Sequence, residues 1–481
     1  MRIIGNRGNT ARKVQAIASG ALASGDTVIV NSDGTVSVVG VASVSQQIGT
    51  AVSFESAEAG YVSATFDSAN NKVVIAYGDE GNNNYGTAVV GTVSGTSISF
   101  GTPVVFTSAS IAHTTATFDT ASGKVVIACQ RGGTNGGAIV GTVSGTSISF
   151  GSFGFIGGGT ITYLATTFDS AAGKVVVAFR DNSNSNRGTA VVGTVSGTSI
   201  SYGSFVVFET GSTQATSATY DTNAQKVVVS YRDDGNASFG KAVVGTVSGT
   251  SISFGSPVTF AADSISADSG TSTTFDSTNN KVVIVYGRGN YGRAIVGTIS
   301  GTSISFGSFV NFSTQEQATF GATFDVTASK VVISFRDQGS SGAGKLVVGT
   351  VSGTAISFGT PVEFDSGSTY YLATTFDSNL DRVVTAYTIL GGSNSYAVVL
   401  RNAQSVPNLT SENFIGIASN GYATGQAATI NAKGFVDDNQ SSLTAGQSYY
   451  VQTNGDLGLT ADDPSVFAGT AVSATKLIVK G

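Results

Sequence analysis

Phe66-Asp-Ser-Ala-Asn-Asn-Lys72-Val-Val-Ile-Ala-Tyr77 is the stretch that decides the fold. Its pattern is an aromatic residue and Asp, a short polar gap, then Lys-Val-Val. The pattern starts again at Phe118, Phe168, Tyr220, Phe275, Phe324 and Phe376, with Arg-Val-Val in the last copy. Successive starts lie 52, 50, 52, 55, 49 and 52 residues apart. A period of about 50 residues, rich in short apolar runs and Gly turns, matches the four-stranded blade of a β-propeller. Seven copies predict an all-β, seven-bladed propeller.

The first copy predicts its strands in order. Strand a covers 62–66, strand b 72–77, strand c 87–93 and strand d 97–106. Strands b and c are nearly unbroken runs of Val, Ile and Ala, as expected where both faces are covered by neighbours. A stacked solenoid uses similar repeats but needs capping units. This array ends differently. The seventh copy lacks a strand d, and one stands before the first copy: Ile48-Gly-Thr-Ala-Val-Ser-Phe54 matches Phe100-Gly-Thr-Pro-Val-Val-Phe106. An N-terminal strand therefore completes blade 7 and removes an open sheet edge. Joining segments about 340 residues apart costs roughly 5 kcal/mol of chain entropy.

The whole composition agrees with this reading. Of 481 residues, 63 are Gly and 11% are charged, so the chain suits many tight turns between strands. A net charge of −6 disfavours duplex nucleic acid as a partner. Cys129 is the only cysteine, so no intrachain disulfide forms. Residues 1–15 are polar and basic, unlike a secretory leader, and no apolar run of membrane-spanning length occurs. The expectation is synthesis in a cytoplasm without membrane insertion.

Outside the ring (46–401) lie an N-terminal β segment (1–45), a linker (402–413) marked by Pro407, and a C-terminal β module (414–481). The stretch from Leu22 to Val36 aligns without gaps on that from Leu443 to Leu457. Each holds an Asp-Gly or Asn-Gly dipeptide between apolar alternations, a hairpin signal. The two ends are expected to form one small β-rich domain. The stretches Phe414-Ile-Gly-Ile-Ala418, Leu443-Thr-Ala-Gly-Gln-Ser-Tyr-Tyr-Val-Gln452 and Ala468-Gly-Thr-Ala-Val-Ser-Ala-Thr-Lys-Leu-Ile-Val-Lys480 resemble a module in virion proteins of tailed phages, of the tail-fibre-like or head-fibre type. The resemblance covers about the last 70 residues and implies attachment to, or assembly into, a particle. It implies a virion location, other virion proteins as partners through the terminal domain, and a homo-oligomer.

Comparison of the seven copies separates the two faces. The c–d turn Val93-Ser-Gly-Thr-Ser-Ile-Ser-Phe100 recurs unchanged at 143–150 and 247–254, while the b–c and d–a loops differ from blade to blade. Binding needs an asymmetric set of groups, so it is expected on the variable face. Asp67, Asp119, Asp169, Asp221, Asp276, Asp325 and Asp377 are the same in every copy and are read as turn caps. Each is expected to pair with the cation five residues on: Lys72, Lys124, Lys174, Lys226, Lys281, Lys330 and Arg382.

Five residues before each repeat aromatic stand Tyr61, His113, Tyr163, Ala215, Gly270, Thr319 and Tyr371. The ring-bearing copies fall on blades 7, 1, 2 and 3, contiguous in a closed ring, and Tyr370 adds another. Rings with polar tips suit sugar recognition, so a host surface glycan is the candidate ligand, against simple filling of the channel top. Arg180, Arg232 and Arg336 end strand b, with Arg131 and Arg288 one place later. They suit a carboxylated or sulfated glycan, against an Arg–Asp ladder with Asp181, Asp233 and Asp337 between loops. The ladder is the favoured reading.

Catalytic signatures are sparse. The variable face offers Asp79, Glu80, Asp181, Asp233, Asp234, Glu316 and Asp337, which sequence cannot pair into a glycosidase dyad. The Ser-x-Asp-x-Gly-x-Thr-Trp signature of sialidases is missing, and the chain has no Trp. His113 is the sole histidine and no nucleophile elbow accompanies it. No cofactor or metal set emerges; Asp233-Asp-Gly-Asn236 is only a fragment of a calcium loop. The expectation is a non-enzymatic phage surface protein, a tail fibre or appendage that binds host glycan or protein. The alternatives are a structural head decoration protein and a propeller glycoside hydrolase.

Overall fold

The structure is a computed structural model that describes residues 2–4, 13–157, 159–266, 270–314 and 317–480. Contacts divide it into two units, Gln46–Asn402 and the terminal segments Met1–Ser45 with Ala403–Gly481.

Among the described residues, each copy of the repeat in the larger unit forms an antiparallel sheet. In the first, Ala59–Asp67 pairs with Lys72–Asp79, which pairs with Tyr85–Ser94. The expected strand d is split. Ser97–Phe100 pairs with the end of strand c, and the start of Val104–Asp119 pairs with its beginning. The break falls at Gly101, whose Cβ, if it had one, would lie 1.9 Å from the Thr146 carbonyl oxygen in the c–d turn of the next blade. Only glycine permits that approach between blades. Val104–Asp119 and Val206–Asp221 then run on as strand a of the following blade, so these two connections are continuous strand rather than the d–a loops expected.

Blade contacts explain the unbroken apolar runs. Val73, Ile75 and Tyr77 face Val384, Ala386, Ala397 and Val399 of blade 7. Val74 and Ala76, on the other side of the same strand, face Ile127, Cys129 and Ile139 of blade 2. Alternate side chains of a strand point to opposite faces, so a sheet wedged between two others must be apolar at every position.

The ring closes as expected. Gln47–Ile48 and Val52–Glu55 pair with Ser395–Arg401 of blade 7. Gly49 repeats the role of Gly101: its Cβ would lie 1.7 Å from the Thr96 carbonyl oxygen. Phe54 packs on Tyr77 and Phe100 of blade 1, with centroids 5.2 and 5.9 Å away. The innermost strand of blade 7, Thr369–Asp377, packs against Ala59–Asp67. A buried polar bond crosses the same seam, where the Tyr77 hydroxyl donates to Glu55 Oε2 at 2.8 Å. Blades 3 and 4 and blades 6 and 7 repeat it with Tyr231 to Glu209 at 3.0 Å and Tyr387 to Asp365 at 2.8 Å.

The turn aspartates cap as expected, but the ion pairs do not form. Asp67 Oδ1 accepts the Ala69 and Asn70 amides, and Asp119 Oδ1 those of Ala121 and Ser122, all at 2.9–3.0 Å. Among the described residues no ion pair joins any of the seven aspartates to its Lys or Arg. The carboxylate curls back onto the turn amides, while the cation meets oxygens other than that carboxylate; Arg382 Nη1 donates to the Leu380 and Asp381 carbonyls of its own turn. Lys124 donates to Thr142 Oγ1 at 2.8 Å on strand c, and Arg382 to the Gly95 carbonyl at 2.7 Å.

The terminal unit contains a six-stranded and a five-stranded sheet. Both expected hairpins form at matching positions: Val30 pairs with Val36 around Asp33-Gly34, and Val451 with Leu457 around Asn454-Gly455. A second likeness joins Ile17-Ala-Ser-Gly-Ala-Leu22-Ala-Ser-Gly25 to Ile417-Ala-Ser-Asn-Gly-Tyr422-Ala-Thr-Gly425. The two copies exchange strands: Lys13–Ile17 pairs with Ala427–Asn431, and Phe414–Ala418 with Thr27–Val30. At the crossover Leu22 and Tyr422 exchange backbone hydrogen bonds of 2.9 and 2.8 Å. The segment expected to be a linker holds a strand, Gln404–Pro407, paired with Val41–Val44. Its Pro and polar residues mark an exposed two-stranded ribbon, where a missing N–H is tolerated.

Candidate functional site

A backbone irregularity positions the site. In six blades the register of strands a and b shifts where strand a opens, a β-bulge that re-aims one side chain. The re-aimed residue has positive φ in every blade: Tyr61 51°, His113 51°, Tyr163 51°, Ala215 53°, Gly270 69°, Thr319 55° and Tyr371 47°. Glycine meets this conformation without strain, yet only blade 5 uses it; elsewhere the side chain is held there at a cost of about 1–2 kcal/mol. All seven line one cavity of about 450 Å³ at the channel mouth, joined by Tyr370.

The rings form a continuous arc. Centroids are 4.9 Å apart for Tyr163 and His113, 5.4 Å for His113 and Tyr61, 5.1 Å for Tyr61 and Tyr371, and 4.6 Å for Tyr371 and Tyr370. All five are half-buried. Among the described residues their hydroxyl and imidazole groups form no hydrogen bond. The rings line the mouth and leave it open. Below them the channel narrows to about 300 Å³ lined by small residues such as Ser63, Thr115, Thr166 and Ser217. There Thr115 and Thr166 hydroxyls lie 2.9 Å apart and Ser63 Oγ accepts the Ala116 amide at 2.9 Å, so the deeper layer is occupied with holding blades together.

Arginine flanks both ends of the arc. The Arg180 guanidinium lies 5.9 Å from the Tyr163 centroid and that of Arg336 lies 5.6 Å from Tyr370. Arg232 is elsewhere. Its Nε stands 3.0 Å from Asp234 Oδ1 and its Nη2 donates to Ser238 Oγ at 2.7 Å, within its own b–c loop. Arg288 pairs with Asp263 at 2.9 Å. Arg131 donates to Thr107 Oγ1 at 2.7 Å and sits against Phe153 and Phe155. The expected Arg–Asp ladder is therefore corrected. Asp181 caps its own loop through the Ser183 and Asn184 amides, and Asp233 and Asp337 pair with Lys241 and Lys345. Those aspartates are nearly inaccessible, and each is engaged within its own blade rather than with the arginine of a neighbouring loop.

The charges near the arc are uneven. Burial, helped by Arg180, pulls the His113 imidazole down from 6.5 to about 4, so it is neutral at pH 7. Burial pushes the Tyr371 hydroxyl up, reinforced by Tyr61, Tyr370, Glu80 and Glu58. Glu80 is held above the usual carboxylate range by burial and by Glu58. A Cβ on Gly60 would lie 3.4 Å from Glu80 Oε1, which places this carboxylate beside Tyr61. Sequence reasoning passed over Glu58, although it stands three residues before Tyr61 in the same d–a loop. Glu316 lies outside the described residues. Among the described residues no three His, Cys, Asp or Glu side chains gather to hold a metal ion.

No family model matches the chain, and no curated protein matches it. Among solved structures, the BP39L lectin from Burkholderia pseudomallei is similar in fold, with a TM-score of 0.56 and 9% identity over 74% of this chain and 99% of that one. A variant of the NanB sialidase from Streptococcus pneumoniae matches with a TM-score of 0.45 and 10% identity over 73% of this chain and 70% of that one. The intramolecular trans-sialidase from Ruminococcus gnavus matches with a TM-score of 0.41 and 9% identity over 74% and 97%. The expectation that the chain is not an enzyme is corrected on this finding: sialidases stand beside lectins among the matched structures. What the comparisons establish is the fold alone, a β-propeller similar to the BP39L lectin.

Proposed function

We propose that the mouth of the propeller binds a carbohydrate. The observation that carries this reading is the five-ring arc with its uncommitted polar tips, lining an open cavity of about 450 Å³. Aromatic faces stack on the C–H surfaces of a sugar while hydroxyl and imidazole groups meet its hydroxyls. The likeness to a lectin propeller supports the same reading. The test is a glycan array followed by calorimetry on Tyr61→Ala and Tyr371→Ala. Binding lost in both, with an unchanged melting curve, is the expected result; unchanged binding in both overturns the reading.

A second reading, hydrolysis of the bound glycan, is favoured by Glu58 and Glu80. Burial and Glu58 raise Glu80 above the usual carboxylate range, and a raised carboxyl beside a second carboxyl is the kind of pairing that glycoside hydrolysis uses. Turnover of fluorogenic glycosides that disappears in Glu80→Gln while glycan binding persists supports it. Absence of turnover across a panel of sugars overturns it.

For the terminal unit, we propose attachment to a phage particle, where it meets other virion proteins and repeated copies raise avidity. This rests on the resemblance of the C-terminal stretches to tail-fibre-like and head-fibre modules; the matched structures lend it nothing. Immunogold labelling of the particle tests it. Gold on tail or fibre tips fits host attachment, gold over the head fits decoration, and unlabelled particles overturn it.

A further inference from the structure

We propose that the ligand of the propeller mouth is an acidic carbohydrate, whose carboxylate or sulfate is taken by Arg180 at one end of the aromatic arc and Arg336 at the other. The proposal rests on the carbohydrate reading and adds its charge. It comes from how the five arginines near the ends of strand b are committed. Arg232 and Arg288 have carboxylate partners at 3.0 and 2.9 Å. Arg131 is held by Thr107 and by two phenylalanine rings. Arg180 forms no ion pair or hydrogen bond among the described residues, and its Nε is buried without a partner. Arg336 has one neutral partner among the described residues, Ser368 Oγ at 3.0 Å, and among them its Nε is likewise buried without a partner.

Among the described residues three of the five arginines lack a carboxylate partner, Arg131, Arg180 and Arg336, and the latter two stand against the arc. Unpaired guanidinium groups beside a half-buried cavity are poised for bidentate, charge-assisted contact with a planar carboxylate or a sulfate. The chain carries a net charge of −6, so partners of opposite sign were available to neutralise them. Arg232 shows what such neutralisation looks like at the same repeat position. His113, neutral and next to Arg180, adds no competing positive charge and leaves a ring nitrogen for a hydroxyl of the same ligand.

The experiment is an array of uronate-containing, sialylated, sulfated and neutral glycans probed with the full chain, then with Arg180→Gln, Arg336→Gln and Arg232→Gln. Acidic glycans are expected to bind, with affinity falling about tenfold or more in Arg180→Gln or Arg336→Gln and unchanged in Arg232→Gln. Carboxyl-reduced and desulfated versions of each hit identify which anion is read. For the wild-type chain, binding is expected to weaken as salt is raised, a result that does not depend on any variant folding. Equal binding of acidic glycans and their neutralised forms overturns the acidic assignment while leaving the carbohydrate reading intact. Failure to bind any glycan overturns both.

Discussion

Replacing Phe54 by Ala tests ring closure at a single side chain, and an internal control sets its magnitude. Phe54 belongs to the N-terminal strand, is 5% exposed, and packs on Tyr77 and Phe100 at 5.2 and 5.9 Å. Phe208 holds the equivalent position in blade 3, is 6% exposed, and packs on Tyr231 and on Phe254, the counterpart of Phe100, at 5.2 and 5.6 Å. The two cavities left by truncation are therefore alike, and each change should cost about 3–5 kcal/mol. The difference lies in covalent context. Phe208 sits on a strand continuous with the next blade, Val206–Asp221, whereas Phe54 sits on a strand that reaches blade 7 across most of the chain. If the ring closes as one cooperative body, both variants lose stability equally, to within about 1 kcal/mol, and each melts in one transition. The assay is urea unfolding followed by far-ultraviolet circular dichroism, with stability read from the midpoint and slope. A loss below about 1 kcal/mol for Phe54→Ala beside a full loss for Phe208→Ala would refute the argument, because the closing strand would then contribute little. So would a second, early transition confined to Phe54→Ala.

Three further outcomes are expected. His113 has its folded value depressed from 6.5 to about 4, so the unfolded chain takes up a proton first as pH falls; this contribution to stability is complete above about pH 6.5 and lost between there and pH 4. Thermal melts of His113→Gln should lack that part of the acid destabilisation, and an identical pH profile in the two proteins counts against it. Asp119→Ala should cost about 1–3 kcal/mol by leaving the Ala121 and Ser122 amides without their acceptor, whereas Lys124→Ala should cost under about 0.5 kcal/mol, since no ion pair is broken; comparable losses in urea melts would restore the pairing. Removing residues 1–45 should leave Phe414–Ala418 and Ala427–Asn431 with only each other to pair with, so limited proteolysis should digest 403–481 rapidly; a protease-resistant monomer would show that the exchange of strands is dispensable.

The sequence by itself determined the repeat, the strand order and the closure, because those are written in local patterns. Phe66-Asp and Lys72-Val-Val set a turn between two strands, apolar residues at every position of strand b require a neighbour on each face, and the copy of strand d at 48–54 supplies the one that blade 7 lacks. Equal spacing also placed Tyr61, His113, Tyr163 and Tyr371 at one structural position. Tertiary structure alone decided what surrounds them. The positive φ that aims these rings inward arises from a bulge with no local sequence mark, since Tyr, His, Ala, Thr and Gly all occupy it. The partner of each charge depends on how the loops fold: Asp234 of the same loop for Arg232, Asp263 of the preceding connection for Arg288, and a ring for Arg180. Charge pairing falls off over a few ångströms and is set by side-chain placement, so spacing along the chain cannot assign it. The same reason separates Asp119 from Lys124, which stand opposite each other in register yet turn to different partners.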